Sequence, residues 1–224
     1  MLTHLKRVIK SRFDPYSLLY NFFAWCYSWI TGRQSIRRAA YMRIFKDSRF
    51  AAEELSMASH CPCNVLNAVI ERWHPRSFLD VGCGTGQTIE YVINRGIECL
   101  GLEGSAAAID HSPVKRHIRM INLNDPLDLG RRFDMVWSFE VAEHIHQNFT
   151  ETFLDTLTSH GDLIVLSAAQ PGQGGAGHFN EQPLSYWIQR ICRRGFVFEE
   201  QFTTQLHALP DTYSENIMVF TRAR

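Results

Sequence analysis

The stretch Ser138-Phe139-Glu140-Val141-Ala142-Glu143-His144-Ile145-His146 places two carboxylates and two imidazoles within seven residues, directly after the apolar run FDMVWSF. Oxygen and nitrogen donors at that density can do two kinds of work. They can hold a divalent cation, or they can move a proton to and from a reacting group. On a helical turn Glu140 would neighbour both Glu143 and His144, at spacings of three and four residues, which predicts one face of ligand atoms. The plainer alternative is that Glu143 and His144 open a helix, where acidic side chains are favoured by the macrodipole. His146 reads equally well as a surface residue.

A second set of residues lies earlier, in FLDVGCGTGQT, where Asp80 ends an apolar run and Gly82, Gly84 and Gly86 follow. Glycines there allow a tight turn and a close approach of backbone to ligand, and a helix opening after them offers unpaired N–H groups. Dinucleotide-binding enzymes use a similar turn, and some turns need glycine for steric reasons alone. The added signal is Glu103 in CLGLEGS, nineteen residues after Gly84. A carboxylate there can accept both hydroxyls of a ribose.

The elements that must carry these residues alternate from Ser77 onward. Strands are predicted at 77–82, 98–103, 117–123, 133–139, 162–168, 196–202 and 216–222, with helices at about 85–95, 105–111, 145–159 and 183–194. Short apolar runs alternating with helices argue an α/β fold, a doubly wound, mostly parallel seven-stranded sheet with helices on both faces. Such sheets bind ligands at the carboxyl ends of their strands, where the glycine loop and the acidic residues fall. A helical pattern over roughly 51–73 precedes the sheet and is interrupted near Cys61-Pro62.

From about Ser77 to the C-terminus the chain resembles the class I S-adenosylmethionine (SAM)-dependent methyltransferases, most specifically through Asp80-Val81-Gly82-Cys83-Gly84-Thr85-Gly86. The resemblance implies a Rossmann-like fold with SAM as cofactor. Its methionine part would lie on the loop of Gly82, Cys83, Gly84 and Gly86, its ammonium on Asp80 and its ribose on Glu103 beside Gly104. The adenine would meet Asn122 and Leu123, where the family often has an acid, and Glu140 would border the cofactor. The E-x-x-E-H pattern is similar to one in ubiquinone-biosynthesis O-methyltransferases and small-RNA 2′-O-methyltransferases, where it holds a divalent cation. That implies a metal site of Glu140, Glu143, His144 and a later histidine, His178, for Mg²⁺, Mn²⁺, Fe²⁺ or Zn²⁺. Without a cation, the catalytic base would be His144 or His178.

His178 sits in SAAQPGQGGAGHFNEQP, whose glycines at 172, 174, 175 and 177 suggest a mobile substrate loop or lid. Asn180, Glu181 and Tyr186 are substrate-site candidates, whereas Trp187 and Ile191, four apart, read as core.

The net charge of the 224 residues is zero but unevenly placed: residues 1–50 carry ten Lys/Arg against two Asp, +8, which leaves −8 for the rest. The acidic body does not favour nucleic acid as a partner. The six scattered cysteines read as reduced thiols of a cytoplasmic protein. Residues 13–30 are dense in aromatics, and the apolar run Leu18–Ile30 is too short to span a bilayer as a helix. The segment before the sheet, residues 1–73, is expected as an N-terminal helical lid over the acceptor. Alternatively residues 1–50 make a peripheral membrane contact, aromatics in the headgroup region and Lys/Arg on anionic lipid, or a dimer contact. Residues 74–224 would form the methyltransferase domain.

The expected function is SAM-dependent methylation of a small-molecule acceptor, at oxygen in preference to nitrogen, assisted by a divalent cation. Three alternatives stand beside it. An RNA 2′-O-methyltransferase is set against by the acidic body, a non-catalytic SAM-binding regulatory protein by the intact loop, and a nicotinamide-dependent oxidoreductase by Asp80.

Overall fold

The alternation of apolar residues with the pleat decides which side chains each sheet face receives, and here both faces are buried. The computed structural model describes residues 61–175 and 177–223. The expectations for the lid or membrane segment therefore lie outside the described residues as far as residue 60. The last part of that segment, Cys63–Trp73, is helix α1.

Seven strands form one sheet: β1 (Ser77–Val81), β2 (Glu98–Glu103), β3 (Ile118–Met120), β4 (Phe133–Ser138), β5 (Gly161–Ser167), β6 (Phe196–Phe198) and β7 (Ile217–Arg222). Their order is β3-β2-β1-β4-β5-β7-β6, with β7 antiparallel to both neighbours and the other pairs parallel. The helices are α2 (Gln87–Ile93), α3 (Ala106–His111), α4 (Thr150–His160), α5 (Leu184–Cys192) and α6 (Glu200–His207). This is the expected Rossmann-like doubly wound sheet.

Neighbouring residues on each strand divide between two cores. Leu79, Val136, Ile164, Leu166, Met218 and Phe220 pack with Phe153, Leu154 and Leu157 of α4 and Trp187 and Ile191 of α5. Phe78, Met135, Trp137, Leu163, Val165 and Val219 pack with Val65, Leu66 and Val69 of α1, Val92 of α2 and Leu206 of α6. Fully burying each large apolar side chain contributes about 1.5–3 kcal/mol. The strands are thus locked from both sides, and their carboxyl ends become a rigid platform.

Three elements differ from expectation. The strand predicted at 196–202 ends at Phe198 and gives way to α6, where Thr203 and Leu206, three apart, are buried and Phe202 meets Trp73 edge to face at 4.8 Å. Helical packing there overrides an alternation that reads as strand. The third strand is only Ile118–Met120, preceded by a 3₁₀ turn at Lys115–His117. The helix predicted from 145 starts at Thr150, after 3₁₀ turns at Ala142–His144 and Gln147–Phe149. The Glu143 carbonyl, which a continuous helix would use internally, instead accepts the N–H groups of Phe179 and Asn180 at 2.9 and 3.0 Å.

Candidate functional site

The strand order reverses between β1 and β4, and a doubly wound sheet opens a ligand crevice at the carboxyl ends of its strands at that point. Asp80 lies within β1, with the glycine loop leaving the strand's end, and Glu103 ends β2. The loop is pinned to β2, since Gly82 and Cys83 both donate their N–H groups to the Leu102 carbonyl, at 2.8 and 3.1 Å. Gly82 and Gly86 have φ of +83° and +80°, the left-handed region that glycine enters without steric cost.

Glu103 is buried and its carboxylate is already engaged. One oxygen accepts the Gly84 N–H at 2.8 Å, and the other accepts the N–H groups of Gly104 and Ser105 at 2.7 Å each. Ser105 in turn caps α3 by accepting the Ala108 N–H. Burial pushes the Glu103 carboxyl up, and the three N–H bonds oppose that rise. Asp80, 2% exposed, is held well above the usual carboxylate range by burial and then by the Glu103 charge. A cationic ligand at this spot would relieve both. The Cys83 thiol is likewise pushed up, by burial first and the two carboxylates second, and stays a thiol.

Beyond β4 the chain brings Glu143, His144 and His178 together, with one ligand atom from each lying within 4.8 Å of the others. The paired bonds from Phe179 and Asn180 to the Glu143 carbonyl fasten the loop after β5 onto the turn after β4. Glu143 is fully buried, and neither carboxylate oxygen has a partner at full hydrogen-bond geometry, although the Ala169 backbone and the Glu140 carboxylate lie close to it. Burial, and then the neighbouring Glu140 charge, push this carboxyl well above its ordinary range. The His144 and His178 rings meet edge to face with centroids 4.9 Å apart. His144 Nδ1 faces the Gly177 carbonyl at 3.2 Å; a carbonyl only accepts, so Nδ1 carries the proton and Nε2 keeps its lone pair. Desolvation, and then the neighbouring His178, lower the His144 pKa to about 4.

Glu140 stands outside this three-residue group. It is not on a helical turn with Glu143 and His144 but in a left-handed conformation, φ +52°, held by its N–H on the Ser167 hydroxyl at 2.8 Å. Its carboxylate accepts from Asn216 at 3.1 and 3.2 Å and from Gln173 at 3.0 Å. Asn122 and Leu123 follow β3. The Asn122 amide donates to Asp125 and accepts from the Asn124 N–H, while Leu123 is half-buried against the core. Asn180 is 1% exposed and donates to the Thr150 hydroxyl at the start of α4, a structural use of a substrate candidate. Tyr186 packs on Trp187 and under the Arg190 guanidinium, and Trp187 and Ile191 are core.

Sequence reasoning passed over Ser167, Gln173 and Asn216, which carry no motif. Glu181 accepts from His178 Nδ1 at 2.9 Å and from the N–H groups of Gly172 and Gly174 at 2.9 and 2.7 Å. Burial raises its carboxyl pKa, but these bonds outweigh burial and lower it. Two of the loop's glycines therefore wrap a carboxylate. Among the described residues no helix is long and apolar enough to cross a membrane.

A Rossmann-like sheet with a lone antiparallel β7, an acid–glycine loop after β1 and a carboxylate ending β2 defines a nucleoside-binding protein of the SAM type. A family model described as a methyltransferase domain matches residues 46–201, and the chain belongs to that family, among the class I SAM-dependent methyltransferases. The tocopherol O-methyltransferase of Arabidopsis thaliana chloroplasts is 25% identical over 172 residues, 65% of this chain and 48% of that enzyme. The chain thus spans about half the length of that curated relative. Among solved structures, the sugar N-methyltransferase KedS8 from Streptoalloteichus is similar with a TM-score of 0.59 and 17% identity, covering 73% of this chain and 87% of that one. The magnesium protoporphyrin IX methyltransferase of Synechocystis, with bound SAH, has a TM-score of 0.56 and 16% identity, covering 72% and 81%. At those identities the likeness is one of fold.

Proposed function

We propose that this chain transfers the methyl group of SAM to an oxygen nucleophile of a small molecule, with a divalent cation held by Glu143, His144 and His178. The observation that carries the reading is Glu143, whose two carboxylate oxygens are buried without a partner at full hydrogen-bond geometry beside two imidazoles. An uncompensated buried charge costs several kcal/mol, and a cation would supply the missing countercharge. Two imidazoles and one carboxylate suit Mn²⁺, Fe²⁺ or Zn²⁺ better than Mg²⁺, which prefers oxygen. When bound, such an ion lowers the pKa of an acceptor hydroxyl and orients it.

The chain's own residues do the remaining work. The glycine loop carries the methionine end of the cofactor, Glu103 holds its ribose, and Asp80 balances the amino group. Transfer is an in-line displacement: the bond from the methyl carbon to oxygen forms as its bond to sulfur breaks, and the sulfonium becomes the neutral thioether of S-adenosylhomocysteine. With His144 and His178 spent as ligands, the acceptor hydroxyl's proton leaves to solvent; only in the absence of a cation would His178 or His144 take it. An oxygen acceptor is supported by this provision for losing a proton and by the O-methyltransferase name of the Arabidopsis relative.

The test is S-adenosylhomocysteine release over a panel of phenols, quinols, sugars, amines and RNA ends, with and without EDTA. A hydroxyl acceptor should be turned over, EDTA should stop it, and Mn²⁺ should restore it. Turnover of amines alone, or at full rate in EDTA, would sink the reading.

A further inference from the structure

We propose that Glu181 is a positioning residue that decides which nitrogen of His178 keeps its lone pair and holds the ring in place by gripping the loop around it. This rests on reading Glu143, His144 and His178 as the working centre. The geometry leaves little freedom. The Gly172 and Gly174 amides can only donate, and both point at the Glu181 carboxylate, at 2.9 and 2.7 Å. The carboxylate oxygens are therefore acceptors, and His178 Nδ1, 2.9 Å from one of them, must be the donor. A neutral imidazole protonated at Nδ1 keeps its lone pair on Nε2.

His144 reaches the same state against the Gly177 carbonyl. Two adjoining rings thus carry the proton on the same nitrogen by different means. One means is backbone, which substitution leaves in place; the other is a single side chain, which it can remove. The loop also passes close to the other ring nitrogen, because a Cβ on Gly175 would run into the ring at Nε2, Cε1 and Cδ2. The ring is nearly buried, with 7% of its side chain exposed, so Glu181 and the glycines define its seat. A carboxylate behind a ligating histidine fixes tautomer and orientation, and losing it typically costs 10–100-fold in metal affinity.

The full chain would be examined as wild type, Glu181→Ala and Glu181→Gln, the last retaining one oxygen acceptor. Long-range ¹⁵N NMR reads the protonation of each imidazole nitrogen, MnCl₂ calorimetry reads the site, and S-adenosylhomocysteine calorimetry controls for folding. In the wild type His178 should be protonated at Nδ1. In Glu181→Ala the two tautomers should mix and the Mn²⁺ dissociation constant should rise roughly 10–100-fold, with S-adenosylhomocysteine affinity unchanged. Glu181→Gln should recover most of the loss. A proton on Nε2 in the wild type overturns the proposal. So does a Glu181→Ala variant with wild-type tautomer and Mn²⁺ affinity. A wild type that binds no Mn²⁺ refutes the cation reading alone, and the tautomer spectrum still decides the role of Glu181. If Glu181→Ala does not fold, the wild-type and Glu181→Gln spectra decide.

Discussion

The Glu103 carboxylate accepts the Gly84 amide hydrogen at 2.8 Å, so the residue expected to hold the cofactor's ribose also holds the loop expected to carry its methionine end. Removing the side chain would strip an acceptor from the Gly84, Gly104 and Ser105 N–H groups as well as from the ribose. Glu103→Ala should weaken S-adenosylhomocysteine binding by about 1–3 kcal/mol, the scale of leaving buried polar groups unpaired. Calorimetry on the variant checks this, and an unchanged affinity would show that Glu103 contributes nothing to the nucleoside site.

Asp80 gives a prediction with a defined sign in pH. Its folded pKa is raised, so the folded apo protein binds that proton more tightly than the unfolded chain does. Its contribution is therefore most favourable below the unfolded value of about 3.9 and is lost as pH rises toward the folded value. Asp80→Asn should raise the apo melting temperature at neutral pH and flatten this component of the pH dependence, while weakening SAM binding. Melting curves of both proteins at pH 5 and pH 8 isolate the term as a difference. Identical pH slopes would refute it.

Gly82 combines a left-handed backbone with a neighbour in the way, since an added Cβ would press into the Val141 side chain. Gly82→Ala should pay both costs: about 1–2 kcal/mol for the backbone and about 1–3 kcal/mol for the overlap. In a Gly82→Ala, Val141→Ala double variant most of the second cost should go, since only the Val141 Cβ at 3.2 Å is left near the new methyl, and the first should remain. Denaturant melts through this cycle would show a coupling term, and strict additivity would contradict the contact.

Glu140 and Glu143 should differ as metal ligands, although the sequence pattern pairs them. Glu140 is satisfied by Asn216 and Gln173, whereas no donor side chain reaches the Glu143 carboxylate, which lies by the Glu140 carboxylate and the Ala169 backbone. Glu143→Gln should abolish Mn²⁺ binding, and Glu140→Gln should reduce it no more than several-fold. Equal losses in calorimetry would mean that Glu140 turns inward to ligate when the ion arrives.

The parts legible in the sequence were those whose meaning is local. Asp80 and the glycines form one turn, Glu103 ends the adjacent strand, and the alternation of strand and helix needs no distant partner to be seen. The unexpected features depend on remote residues. Glu140 leaves the helical face because Ser167, twenty-seven positions on, takes its N–H, and Asn216, seventy-six positions on, takes its carboxylate. The segment after Phe198 becomes a helix because Phe202 finds Trp73, whereas Asn122 departs for a local reason, accepting the Asn124 N–H in an Asx-type turn and donating to Asp125. Glu181 was visible as an ionisable residue near His178, but the N–H groups of Gly172 and Gly174 that converge on it exist only once the loop has closed.

The pair of hydrogen bonds from the Phe179 and Asn180 N–H groups to the Glu143 carbonyl spans everything between them, including α4 and β5. Closing so long a stretch costs chain entropy, which predicts that these bonds form after α4 and β5 have docked on the sheet. On that expectation Glu143, His144 and His178 come together late in folding. A refolding chain should regain its helical signal before it can take up a divalent ion, and the lag between the two would time the last step of assembly.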